Sequence, residues 1–436
     1  MRNIALTKAS CTTNIEDDLL RGCELFVEDN ATDCVYLVNQ ENVVVLSSDL
    51  KVLDVIPWSH DFDSSPSSVD YLQDTCEIFV VLCNGQVVTI HAESHTICSS
   101  CFLGEACPAA SWSPDQAVLV AVDEDRIVFY GRDFGVIAEW KMTNQDAGKD
   151  ALVTVGWGAA ETQFQGSAGK AAREKRVEVI RTALPTDTHK PYIKWRADSQ
   201  FVAVSFFEEL SGERRVAVFN RDGELMARLK NEEPIEEAIT VRPTGNYIAT
   251  LKQSVDGRRA MVFYERNGEK RHEMQMPHSV DTHQLVDLQW DVESSCLCVH
   301  LRTQQTDELE IWTTSNYDWK RQWSASFTQN IVRWQWHSEK VGQMSLLFSD
   351  GCFSRVNFVS RPTVVGSDAL VVATNELRFT NFDRLPIPPP LCQYSVPHTG
   401  EVHAVAFDGS RLAVLDARFA ANICEFFAFH FVQVLA

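Results

Sequence analysis

Apolar and polar positions along this chain alternate in short bursts. An aromatic-led polar turn is followed by a run of small apolar residues, and the run by a strand ending in an aromatic. The phrase reads Trp112-Ser113-Pro114-Asp115-Gln116 before Ala117-Val118-Leu119-Val120-Ala121. It returns at Trp195-Arg196-Ala197-Asp198-Ser199-Gln200 before Phe201-Val202-Ala203-Val204, and at Val241-Arg242-Pro243-Thr244-Gly245-Asn246 before Tyr247-Ile248-Ala249-Thr250. A looser copy runs from Trp290 to Val299. Runs this short, bounded by turn residues, predict strands. The last three copies start about 46 and 49 residues apart, near the roughly 40–45 residues of a four-stranded propeller blade.

A closing pattern recurs as well. Ile127-Val128-Phe129-Tyr130 leads into Gly131-Arg132-Asp133, Val216-Ala217-Val218-Phe219 into Asn220-Arg221-Asp222-Gly223, and Met261-Val262-Phe263-Tyr264 into Glu265-Arg266-Asn267-Gly268. Gly and Asn at these turns tolerate positive φ. Ile78 to Ile90 predicts a hairpin with Asn84-Gly85 in a type I′ turn. Helical periodicity is scarce, with Ala168–Ile180 the best candidate.

These signals predict an all-β fold: a WD40-type seven-bladed β-propeller over residues 1–385, since radial repetition leaves only short, protected edges. A pair of β-sandwiches is the alternative. Pro386-Ile387-Pro388-Pro389-Pro390 predicts a stiff connector over 386–400. Val402 to Asp416 restarts the phrase, so residues 401–417 read as the start of a second, incomplete propeller, and 418–436 as a divergent apolar tail.

Composition is that of an ordinary globular chain, with 45% hydrophobic and 23% charged residues among 436. A formal charge of −21 disfavours nucleic-acid binding by the whole surface. The start, Met1 to Lys8, has no apolar core of a secretory signal, and no apolar run approaches the roughly 20 residues that span a bilayer. Thirteen scattered cysteines fit reduced thiols. The expectation is therefore no membrane and a cytoplasmic location, with the nucleus as a second compartment.

Candidate chemistry is sparse. Gly166-Ser167-Ala168-Gly169-Lys170-Ala171 falls short of a phosphate loop, because Phe164 stands at the first glycine and Ala171 at the Mg²⁺-binding hydroxyl. His91, His95, Cys98 and Cys101 offer zinc-ligand side chains, but they straddle a strand and a turn, and alternation points neighbours apart. A packed strand is the expectation there. Glu232 to Glu237 reads as a solvated acidic loop. No nucleophile elbow or dinucleotide fingerprint occurs, so no catalytic, cofactor or metal residue is expected. Lys170, Arg173, Lys175 and Arg176, with Arg181, form one compact basic stretch: ordinary solvated surface, or a contact for RNA phosphates or an acidic partner. The tryptophans sit at the repeat's own positions and are expected to pack blades.

Several strings resemble the N-terminal propeller of the largest, scaffolding subunit of the Elongator complex. They are Ser111–Gln116, Thr154-Val155-Gly156-Trp157-Gly158 with Glu161–Phe164 and Gly166-Ser167, Trp195–Phe201, Trp312–Trp319, Pro388–Cys392 and Leu412–Ala417. The resemblance runs from about residue 110 to 417 and implies tandem WD40-type propellers, then helical repeats and a dimerisation region that this chain lacks. It also implies a non-catalytic scaffold, without cofactor, that supports modification of the tRNA wobble uridine (U34). Its partners would be the catalytic acetyltransferase/radical-SAM subunit and a companion WD40 subunit, with a weak tRNA contact. A generic propeller adaptor or a tRNA-contacting module is the other reading. The resemblance stops after Ala417, which gives the expectation of a truncated or alternatively spliced product.

Overall fold

A computed structural model describes residues 4–12, 19–58, 64–143, 148–149, 183–254, 258–315, 318–360, 363–373, 376–384, 386–387, 391–399, 402–408, 411–416, 421–427 and 430–434. The described residues form antiparallel strands arranged as nine four-stranded sheets, with no helix among them. In most of them, strands consecutive in the chain pair as neighbours, which antiparallel pairing allows through short connections.

The first strands of seven sheets pack against one another in order. They are Leu25–Glu28, Pro66–Leu72, Ala109–Trp112, Tyr192–Trp195, Ile235–Val241, Gln284–Trp290 and Ile331–Trp336. Ile331–Trp336 in turn meets Leu25–Glu28, so the sheets, here blades 1 to 7, close into a ring. The seventh blade takes its outer strand from the N-terminus: Ile4–Cys11 pairs antiparallel with Phe353–Ser360.

Blades are buried on both faces, which explains their unbroken apolar runs. In blade 3, Val118, Val120 and Val122 pack with Val202, Val204 and Phe219 of blade 4. The intervening Leu119 and Ala121 pack with Phe79, Val81 and Val87 of blade 2. Six tryptophans (Trp58, Trp112, Trp140, Trp290, Trp312 and Trp334) are buried in such interfaces, the packing role expected of them.

Sheet boundaries fall elsewhere than the expected domain boundaries. Because residues 4–11 fill the outer position of blade 7, the ring is complete at Ser360, not near 385. An eighth sheet follows: Thr363–Val365, Asp368–Ala373, Glu376–Asn381 and Tyr394–Pro397, the last lying inside the expected connector. A ninth comprises Val402–Phe407, Arg411–Asp416, Ala421–Phe427 and His430–Val434, so the expected tail supplies two paired strands. Leu370, Leu377 and Phe379 pack with Val402, Leu412 and Val414 between these two sheets.

The Asn84-Gly85 turn also differs from expectation. Gly85 N–H donates to Leu82 O (2.9 Å), and of the two residues only Gly85 has positive φ, 81°. That matches a three-residue turn ending in a glycine bulge, not type I′. Glycine is required because a Cβ there would overlap the Gly104 carbonyl.

Candidate interaction surfaces

The repeated phrase builds one end of the ring. Each copy joins the first and second strands of its blade through the same bond: Ser113 N–H to Val118 O, Arg196 to Phe201, Arg242 to Tyr247 and Asp291 to Cys296. The fifth position of every copy, Gln116, Ser199, Gly245 or Ser294, has positive φ. That conformation reverses the chain, and the side chains it presents reach sideways.

These turns interlock around the ring. Gln116 Nε2 donates to Tyr71 O of blade 2 (2.8 Å), and Asp115 N–H donates to Ser199 Oγ of blade 4 (3.1 Å). Arg196 reaches Asn246 of blade 5 (2.7 Å), and Thr244 N–H donates to Ser294 Oγ of blade 6 (2.8 Å). Trp336 Nε1 donates to Gln289 O between blades 7 and 6 (3.3 Å), and Lys340 pairs with Asp33 between blades 7 and 1. The result is a broad polar face whose turns are fixed by their neighbours.

The innermost strands carry a second feature. Lys194 Nζ lies 3.9 Å from Asp287 Oδ1, and Gln289 Nε2 donates to Asp287 Oδ2 (2.8 Å). Asp70 accepts from Trp112 N–H at 3.4 Å. Burial pushes the Asp70 carboxyl up to about 7, against the pull of Trp112 N–H and of Arg333. Burial likewise lowers the Arg333 pKa, which the fields of Asp70 and Asp287 oppose. Arg333 and Asp70 belong to blades 7 and 2, so they sense each other across the axis. The Arg333 Nε is buried without a hydrogen-bond partner among the described residues. The innermost strands thus face the axis with charged groups that are incompletely paired among the described residues.

The residues singled out from sequence fare differently. Lys170, Arg173, Lys175, Arg176 and Arg181, the Gly166–Ala171 string and the candidate helix Ala168–Ile180 lie outside the described residues. The His91, His95, Cys98 and Cys101 side chains do not converge as metal ligands. His91 Nδ1 accepts from Ser94 N–H (3.2 Å), and His95 faces Asp54 (3.4 Å). The acidic run is not a solvated loop. Ile235–Val241 is a strand, and Glu236 is buried against Arg259 Nε at 2.7 Å, while Glu233 pairs with Lys252. Glu236 is buried because Arg259, two strands away in the same sheet, brings a guanidinium to it, and the local sequence carries no sign of that. The axial charges, too, were missed, because only ring closure brings Asp70 near Arg333.

Comparison with known proteins gives the family. The profile described as "ELP1 first N-terminal beta-propeller" matches residues 1–339. The chain belongs to this family. Elongator complex protein 1 of Oryctolagus cuniculus is 29% identical over 370 residues, which cover 79% of this chain and 28% of that protein. The protein of the same name from Saccharomyces cerevisiae is 28% identical over 343 residues, covering 68% and 25%. This chain therefore spans about a quarter of the length of these curated relatives. Among solved structures, a chain of "Crystal Structure of Mitotic Checkpoint Complex" superposes with a TM-score of 0.55 at 15% identity, covering 83% of this chain and 96% of that one. At that identity the likeness concerns the fold alone.

Proposed function

We propose that this chain is a non-catalytic scaffold piece of the Elongator complex, which supports wobble-uridine modification of tRNA by organising the catalytic subunit. The observation that carries the reading is the match of residues 1–339 to the first propeller of Elongator complex protein 1. The interlocked turns agree with it, since a rigid, broad face suits a platform better than a moving catalytic pocket does. Its partners on this reading are the catalytic acetyltransferase/radical-SAM subunit and the companion WD40 subunit.

The test is a pull-down with each tagged subunit, run beside assays of acetyl-CoA and S-adenosylmethionine turnover by the chain alone. Association without intrinsic turnover supports the scaffold. Turnover by the isolated chain contradicts it, as does absence of association with both subunits at low salt.

A further inference from the structure

At the end of the ring opposite the interlocked turns, blades 5 and 6 are joined by residues 276–283. Beneath this connection runs Asp307–Ser315, the third strand of blade 6. Glu308, Glu310 and Trp312 alternate along it and so share one face. Trp312 packs with Met261 and Phe263 of blade 5, which directs that face at blade 5 and brings both carboxylates under the connection. His278 and His283 descend onto them. His278 Nε2 lies 2.8 Å from Glu310 Oε1, and His283 Nε2 lies 3.6 Å from Glu308 Oε2.

We infer that His278, His283, Glu308 and Glu310 form a binding site for a divalent transition-metal ion of the zinc class. Ligand atoms of His278, Glu308 and Glu310 lie within 4.8 Å of one another, while His283 stands outside that group beside Glu308 and would swing in to complete a fourth position. Ligands about 2.0–2.1 Å from a tetrahedral ion stand roughly 3.4 Å apart. The His283–Glu308 separation already has that span, and the His278–Glu310 pair needs to open by about half an ångström. Two imidazoles select zinc-class ions over Mg²⁺ or Ca²⁺, which prefer all-oxygen shells.

The surroundings orient the ligands. Thr282 Oγ1 hydrogen-bonds His283 Nδ1 at 2.8 Å. That bond holds the imidazole ring with its Nε2 edge towards Glu308. Glu310 is fixed by Trp312 Nε1 (3.1 Å) and by Arg321. Glu310 is 1% exposed, whereas His278, His283 and Glu308 retain 17–23%, enough for an ion to enter. Such an ion would tie blade 5's outgoing connection to the middle of blade 6.

The test titrates chelator-washed protein with Co²⁺ and follows its visible d–d bands. The expected result is one tetrahedral Co²⁺ per chain, displaced by Zn²⁺. His278→Gln and Glu308→Gln should weaken uptake about 100-fold or more, and Thr282→Val about 10- to 100-fold, because it releases the His283 ring. Thr282→Val removes no ligand, so it carries the test if the ligand variants fail to fold. The site is overturned by absence of one-to-one uptake, by variants that bind like wild type, or by thiolate-to-cobalt charge-transfer bands, which would place the ion on cysteines.

Discussion

Arg355 donates to the Glu28 carboxylate at 3.0 Å although 327 residues separate them in sequence. This pair joins blade 7 to blade 1, the joint at which the ring closes. Ser345 Oγ donates to the same oxygen (2.6 Å), and Phe26 meets Phe353 edge-on at 5.1 Å beneath. Both charged side chains are buried, so removing one leaves the other uncompensated. Arg355→Met or Glu28→Gln should therefore lower unfolding stability by about 3–5 kcal/mol, and the double variant by less than the sum of the two. Denaturant titration of the two singles and the double measures both.

The N-terminal strand makes the same joint on the backbone side. Deleting residues 4–11 should leave Phe353–Ser360 as an open edge, since Ile4–Cys11 is its outer partner. Hydrogen exchange should speed up in Phe353–Ser360 and Gln343–Phe348 well before the strands of blades 3 to 5 respond. Uniform loss of protection would mean that the ring has no weakest joint there.

Two glycines separate backbone strain from collision. Gly245 has a φ of 100° and open space where a Cβ would go, so Gly245→Ala should cost about 1–2 kcal/mol from conformation alone. Gly85 adds a clash with the Gly104 carbonyl, which a side chain cannot evade, so Gly85→Ala should cost clearly more. Thermal unfolding of both variants provides the ranking.

Asp70 gives the axis a pH signature. Its folded pKa, about 7, lies above its ordinary value of 3.8, so the folded state holds this proton more tightly than the unfolded state. Stability from this group is thus full below pH 4 and falls as pH rises towards 7, by at most about 1.4 kcal/mol per unit. Asp70→Asn should flatten the pH dependence of stability between 4 and 7 relative to wild type, and equal slopes would show that Asp70 ionises freely.

The sequence made the blades readable because their determinants are local. Positive φ at Gln116, Ser199, Gly245 and Ser294 and the buried runs that follow recur at fixed offsets, and each copy is interpretable by itself. What stayed hidden depends on distant partners. Ile4–Cys11 has no turn signal linking it to Ser360, so the ring's end was placed too late in the chain. Glu236 read as solvent-facing until Arg259 arrived from another strand, and His278 and His283 looked unremarkable until Glu308 and Glu310 lay beneath them. The Lys170–Arg181 stretch lies outside the described residues, so its role rests on sequence alone.

The central claim is that this chain is an assembly platform for Elongator. It is tested most directly by mixing purified chain with the purified catalytic and companion WD40 subunits and following the mixture by size-exclusion chromatography at low salt. The platform account predicts co-elution with at least one of them in fixed stoichiometry. Separate elution from both, by chain whose blades are folded by hydrogen exchange, would contradict it.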